Sequence, residues 1–289
     1  MNPAGRPSKL RTLLVLGRVS NLPTVWSDCL AGWWLGGGGN WVALACLCLS
    51  ASFLYTGGMF LNDAFDTEFD QNNRRSRPIP SGAISRRAVW QWGFAWLALG
   101  LAGVSFLGAT AIVLAVVLCV LILLYNASHK FLPVSPVLMG ACRVWLYLVA
   151  SAAGARGVGG EAVWKGLALG AYVAGLSCLA RGEKRRGPVP LWPGLLLAAP
   201  VVMAALADDG PSWKGAVVFS MVLAVWTCWA LSRSLDWAGS NVAYTVSRLL
   251  AGIVLVDLLA VADTSQPWCA LFGLWFLLAL LLQRFIPAT

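Results

Sequence analysis

Three oxygen-bearing side chains, Asn62, Asp66 and Asp70, recur at every fourth position in the segment Leu61-Asn62-Asp63-Ala64-Phe65-Asp66-Thr67-Glu68-Phe69-Asp70. A helix turns about 100° per residue, so this spacing holds all three within one stripe about 80° wide. Oxygen ligands stacked in this way suit a hard cation such as Mg²⁺, which in turn bridges to phosphate oxygens. Arg74, Arg75 and Arg77 follow at once, placed to add charge-assisted hydrogen bonds to the same anion, and Pro78, Pro80 and Gly82 supply the turn that folds them back. Spacing alone leaves a second account open, in which a polar helix end at a membrane boundary pairs its carboxylates with the nearby arginines and holds no ligand.

The elements that must position these groups are apolar. Of 289 residues, 59% are hydrophobic and only 11% charged, with a mean hydropathy of +0.74. Too little polar surface is left to cover a water-soluble globule. Apolar runs follow one another with short polar breaks, over 22–36, 41–61, 88–107, 109–125, 134–155, 162–180, 191–207, 213–231, 243–261 and 268–285. Each approaches the roughly 20 residues needed to cross a hydrocarbon core of about 30 Å. The expected fold is an all-α polytopic membrane protein of about nine to ten transmembrane helices, a single domain over residues 1–289. Lys9, Arg11 and Arg18 precede the first run without a small-residue cleavage pattern, so that run is expected to be retained rather than removed as a signal peptide.

A net charge of +9 raises nucleic acid as a partner, but the distribution of the charge argues against it. Numbering the breaks in turn, all but Arg156, Lys165 and Lys214 of the 21 lysines and arginines fall on one side. This is the positive-inside pattern. It predicts cytoplasmic termini and cytoplasmic breaks around 62–87, 126–133, 181–189 and 232–242, with the loops 62–87 and 181–190 standing out, in what would be a bacterial inner membrane, with no nucleic acid bound. The cysteines form no C-x-x-C pair and the chain has one histidine, so they read as small packing residues rather than zinc or haem ligands.

The first motif, Asn62-x3-Asp66-x3-Asp70 followed by Arg77-Pro78-Ile79-Pro80-Ser81-Gly82, resembles the first aspartate-rich motif of the UbiA superfamily of intramembrane prenyltransferases. The likeness extends to Arg18-Val19-Ser20-Asn21-Leu22-Pro23-Thr24, which is similar to that family's polar entry into the first helix. Tyr125 and Lys130 also stand where the family has a Tyr and a Lys after the fourth helix. The resemblance implies a helical ring around a lipid-facing cavity, closed by a cytoplasmic cap made of the two loops. It further implies Mg²⁺ held by Asn62, Asp66 and Asp70 as catalytic ligands, a prenyl diphosphate in a membrane-lipid environment, and transfer to a small, aromatic or other, acceptor. Arg18, Asn21, Arg74, Arg77, Tyr125, Lys130 and Arg143 would touch substrate, and Trp26, Phe53, Tyr55 and Trp145 would line the wall.

The second loop departs from that pattern. It reads Leu179-Ala180-Arg181-Gly182-Glu183-Lys184-Arg185-Arg186-Gly187-Pro188, with one acid where the family normally has a stacked pair. One Mg²⁺ rather than two is therefore expected, with Glu183 and Lys184 as substrate-binding residues and the basic run replacing the second ion. Together with Tyr172-x3-Gly175-Leu176-Ser177, this ending is similar to the EboC-like branch. The missing acids keep open a reduced relative that binds or translocates a prenyl-linked or lipidic intermediate. A secondary transporter is disfavoured, because paired broken midplane helices are not evident. Three charges fall within spans, where charge is costly. Asp28 and Arg143 are expected to be polar groups of a cavity and Asp257 to lie near the outer face, with a buried structural ion pair the alternative to substrate contact for each.

Overall fold

The apolar runs fold as helices, and three helix starts are set by a polar residue that satisfies a free backbone amide. Ser8 accepts from the Arg11 amide, Asn40 from that of Val42 and Ser85 from that of Ala88. A computed structural model of the chain describes residues 8–182, 192–207, 213–232, 242–262 and 267–288, which are helix and connecting turn without a strand among them. In order these are α1 Lys9–Leu16, α2 Leu22–Leu35, α3 Trp41–Phe65, α4 Thr67–Asn73, α5 Arg86–Val104, α6 Ala109–Ser128, α7 Ser135–Ala152, α8 Gly160–Gly182, α9 Trp192–Ala207, α10 Trp213–Ser232, α11 Val242–Ala260 and α12 Pro267–Leu282.

All ten apolar runs appear as α2, α3 and α5–α12, within a few residues of the expected bounds. Among the described residues, seven (α3, α5 with its short 3₁₀ extension, α6, α7, α8, α10 and α11) are long and apolar enough to cross a membrane, while α9 and α12 are shorter apolar helices. The 14 residues of α2 span only about 21 Å at 1.5 Å per residue, less than a bilayer core. The chain is an integral, multi-pass membrane protein.

Successive helices pack side by side from α3 and α5 round to α12, and α12 returns to α2, so the bundle closes into a ring. Helices α2 and α11 also reach inward, α2 onto α7 and α11 onto α8 and α2. Their burial follows: α2 is buried at ten positions between Pro23 and Trp33, and α11 without interruption from Ala251 to Ala260.

Lipid offers helices no hydrophobic reason to associate, so contact must come from close backbone approach at small residues. A Cβ added to Gly32 of α2 would sit 2.6 Å from the Tyr147 carbonyl oxygen, and one on Gly57 of α3 would sit 2.8 Å from that of Gly93. A Cβ on Gly140 of α7 would collide with the Gly170 carbonyl of α8. Polar groups reinforce the same seams. The Arg143 guanidinium on α7 binds the Asp28 carboxylate of α2 and donates to Thr24 Oγ1 at 3.0 Å, and the Ser27 hydroxyl meets the Asp257 carboxylate of α11. Asp257 is fully buried, because α11 turns it inward onto α2.

Gly140→Leu is expected to lower the melting temperature of the purified protein by the equivalent of about 1–3 kcal/mol, the usual cost of overpacking. Gly159→Ala, where an added Cβ meets nothing within 4 Å, should leave it unchanged. Thermal unfolding in detergent would distinguish the two.

Candidate active site

The site begins with a break in helix geometry. The expected single helix through Asn62, Asp66 and Asp70 is interrupted at Asp66, whose ψ of −3° separates α3 from α4. The register survives, since the Asp66 amide still bonds to the Asn62 carbonyl at 2.9 Å and that of Asp70 to the Asp66 carbonyl at 2.9 Å. All three side chains therefore stay on one face, with Asn62 and Asp70 buried and Asp66 half-buried.

After α4 the chain folds back. The Ser81 amide bonds to the Arg77 carbonyl at 3.0 Å and that of Ala83 to the Pro78 carbonyl at 3.0 Å, and Gly82 takes a positive φ of 74° that favours glycine. Ile79, between the two prolines, packs with Ile84 on Leu16, Phe60, Ala64 and Val89. This small apolar cluster anchors the turn and swings Arg77 onto α3. Its Nη1 lies 2.7 Å from Asp63 Oδ1 and 3.5 Å from Asp70 Oδ2.

Arg18 arrives from the other side. It donates to Asn62 Oδ1 at 3.1 Å and lies 3.4 Å from Asp63 Oδ1. Asp66 is met from the α6–α7 connection, with Lys130 Nζ at 2.8 Å and His129 Nε2 at 3.1 Å from its Oδ1. Lys130 also donates to the Phe65 carbonyl at 3.1 Å, and Tyr125 stacks on the His129 ring. Asn62 Nδ2 donates to Asn126 Oδ1 at 3.1 Å, which ties α3 to α6.

The two carboxylates of the motif differ in kind. Burial pushes the Asp66 carboxyl up, but hydrogen bonds from His129 and Lys130 outweigh it and bring the pKa down to about 2. Burial also raises the Asp70 carboxyl, Arg77 counters it only in part, and the charges on Asp66 and Asp63 add to the rise. Burial lowers Arg77, helped by the neighbouring Arg18, whereas Arg18 is raised because Asp63 and nearby groups outweigh its burial.

Of the residues singled out in the sequence, Arg18, Asn62, Asp66, Asp70, Arg77, Tyr125 and Lys130 meet in this cluster. Arg74 is exposed beside it, near Asp70 and Arg77. Asn21 adjoins it through Tyr55, to whose hydroxyl it donates at 3.2 Å. Arg143 does not join it, being held by Asp28 and Thr24. Trp26 and Phe53 face other side chains, Ser52 and Trp96 respectively. Glu183 and Lys184 lie outside the described residues. Asp63, Asn126 and His129 were not anticipated. Asp63 sits off the four-residue stripe, and the only signals for the others were the lone histidine beside Lys130 and an asparagine one turn before it.

The donor set fits Mg²⁺. It is made of oxygens, and Asp66 Oδ1 and Asp70 Oδ2 carry the cationic contacts while each carboxylate has a second oxygen. Among the described residues no three His, Cys, Asp or Glu side chains form a closed cage. Mg²⁺ keeps waters and is commonly held by one or two carboxylates together with substrate phosphates.

Fold and site together define an integral membrane bundle that carries an oxygen-rich, cation-lined cluster where α3, α4 and α6 end. The model of the UbiA prenyltransferase family matches residues 20–187, more than half of the chain, and the protein belongs to that family. A digeranylgeranylglyceryl phosphate synthase of Methanopyrus kandleri is 31% identical over 224 residues, 74% of this chain and 75% of the relative. One of Methanoregula boonei is 43% identical over 76 residues, and there the match spans only 27% of the relative's length. A UbiA homolog from Archaeoglobus fulgidus bound to GPP and Mg²⁺ superposes with a TM-score of 0.65 at 17% identity, over 95% of this chain and 99% of that one, a likeness of fold.

The opposite shifts at Asp66 and Asp70 predict opposite effects on stability. Asp66 has a lowered folded pKa, so its contribution is present above the ordinary value of 3.8 and is lost as pH falls towards about 2. Asp66→Asn should lower the melting temperature near neutral pH, with a deficit that fades as acid is added. Asp70 is raised, so its ionised form opposes folding above the ordinary carboxyl range, and Asp70→Asn should leave the melting temperature unchanged or higher. Thermal melts of both variants across a pH series check the signs.

Proposed function

We propose that this chain is a membrane prenyltransferase that moves a prenyl group from its diphosphate to a small acceptor, aromatic or hydroxylic, with Mg²⁺. The observation that carries this reading is the convergence of Asn62, Asp66 and Asp70 with Arg18, Arg77 and Lys130 at the end of a membrane bundle. Family membership and the names of the curated relatives support a transferase. The positive-inside pattern supports a cytoplasmic location for the site. The Arg181-Gly182-Glu183 ending supports the EboC-like branch, and the curated relatives support a digeranylgeranylglyceryl phosphate synthase-like activity; the acceptor separates the two.

In the reaction, the bond between the allylic carbon and the diphosphate oxygen breaks, and the diphosphate keeps the electron pair. The acceptor's nucleophilic atom adds to that carbon and loses its proton. Asn62, Asp66 and Asp70 would hold one Mg²⁺, which when bound supplies charge neutralisation for the departing diphosphate. Arg77 and Lys130 sit beside the same carboxylates, where they would orient the phosphate oxygens by charge-assisted hydrogen bonds. Arg74, exposed next to them, adds a further cation on entry. Apolar walls of the bundle would keep water away from the developing carbocation.

Purified protein incubated with radiolabelled geranyl diphosphate and Mg²⁺ tests the reading. Release of diphosphate on addition of an acceptor supports it, whereas tight binding without turnover would favour a carrier. Asp66→Ala and Asp70→Ala should each abolish Mg²⁺-dependent binding, and retention in both would return the segment to a polar helix end. Lys184→Glu should weaken diphosphate affinity about 10-fold, or about 1.4 kcal/mol, if the basic run replaces a second ion. Arg284→Glu should do little, and equal effects of the two reversals, or two cooperative Mg²⁺ sites, would remove that role.

A further inference from the structure

The connection between α6 and α7 delivers both groups that meet Asp66, and its own position is fixed by a residue from a third place in the chain. Arg181, in the last turn of α8, donates from Nη2 to the His129 carbonyl at 2.6 Å and from Nη1 to the Pro133 carbonyl at 2.9 Å. Ser135 adds a weaker contact to the His129 carbonyl at 3.4 Å. The His129 ring is itself fixed. Its Nδ1 lies 3.2 Å and 3.1 Å from the carbonyl oxygens of Tyr125 and Asn126, and its face stacks on Tyr125 with centroids 5.2 Å apart. With one nitrogen and one face committed, Nε2 can point only at Asp66 Oδ1, 3.1 Å away.

We propose that His129 is a positioning residue for Asp66, and that Arg181 sets it through the main chain, so that the α8 end and the first acidic motif move as one unit. The inference rests on the reading of Asp66 as a Mg²⁺ ligand. Nδ1 faces two carbonyl oxygens and so carries a proton, and with Nε2 protonated as well the ring pairs with Asp66 Oδ1; that contact would orient one carboxylate oxygen and leave the other free for a cation, as outer partners of metal ligands commonly do. Lys130 cannot do this alone. Its long chain is flexible, and its ammonium is shared between Asp66, the Phe65 carbonyl and the face of Phe69. Arg181 matters because two carbonyls of a short connection accept from its planar fork, which fixes the connection in both translation and tilt. The second loop leaves α8 next to this arginine. Whatever moves that helix end is therefore passed to the carboxylate at the metal site.

The test measures binding of geranyl diphosphate to the full-length protein in nanodiscs as a function of Mg²⁺ concentration. His129→Ala should raise the half-saturating Mg²⁺ by about 10-fold, the low end of what loss of an outer partner costs. His129→Gln, whose amide can still donate to Asp66, should recover most of that loss. Arg181→Met should shift the same quantity in the same direction, and the double variant should be no worse than His129→Ala, because both act through one contact. Additive effects would show that Arg181 works independently and would overturn the coupling. An unchanged Mg²⁺ requirement in His129→Ala, with Asp66→Ala inactive in binding, would overturn this inference and leave the metal reading standing. Retained Mg²⁺-dependent binding in Asp66→Ala would instead overturn the reading beneath it. Should the alanine variant fail to fold, His129→Met against His129→Gln, similar in length and different in donor, gives the same discrimination.

Discussion

The carboxylate of Asp63 is the constraint on which the rest of the site depends. It is 6% exposed at the edge of a membrane bundle, where an uncompensated charge would be costly. Two arginines from different parts of the chain meet the same oxygen, Arg18 from before α2 and Arg77 from the turn after α4. To reach it Arg18 adopts φ 42° and ψ 48°, the one positive φ of a non-glycine among the described residues. Such a conformation costs about 1–2 kcal/mol, less than leaving the acid unpaired. The Arg18 Nη2 that meets Asp63 also donates to Asn62 Oδ1, and the Arg77 Nη1 that meets Asp63 also lies 3.5 Å from Asp70 Oδ2. The two motif residues flanking Asp66 along the chain are thus fixed by an acid that is not in the motif.

The same logic runs deeper in the bundle. Small residues bring α2, α7 and α8 into backbone contact, and Arg143, Asp28, Thr24, Ser27 and Asp257 occupy the seam they leave. An arginine here has no water to fall back on, so its partners must come from neighbouring helices. The result is that α2, too short to cross the bilayer by itself, is held against α7 along one stripe, by polar contacts at Thr24 and Asp28 and by glycine approach at Gly32. Its upstream end carries Arg18, so the rigidity of α2 passes into the site.

Much of the fold was legible because membrane helices announce themselves by length and hydropathy, and all ten apolar runs are helices. What was missed is what hydropathy cannot encode. Helices α1 and α4 are short and lie outside the apolar runs, and the break at Asp66 leaves the four-residue spacing intact. In the site, the stripe of Asn62, Asp66 and Asp70 was readable because helical periodicity turns sequence spacing into spatial alignment. Asp63 was passed over for the same reason, since it lies off that stripe and gains its role only from Arg18, 45 residues upstream, and Arg77, 14 residues downstream. His129 needs the α6–α7 turn to reach Asp66, a contact without local signature. Arg143 and Asp28 were recognised as costly charges, but only packing shows that they satisfy each other.

On the proposed function, charge balance would allow a basic run to stand where the resembling family places acids. The cluster sets Asp63, Asp66 and Asp70 against Arg18, Arg77 and Lys130, a formal balance before any ligand enters. A diphosphate brings close to three negative charges, and one Mg²⁺ offsets two of them. The remaining charge, in a site partly withdrawn from water, calls for one more cation and not for further carboxylates. Arg74 and Arg75 stand exposed on the rim, and the run Lys184-Arg185-Arg186 follows the helix end that Arg181 ties to the same cluster. A second acid pair would require a second ion to restore balance. A cationic loop would restore it directly, so the departure from the family pattern does not by itself oppose diphosphate binding.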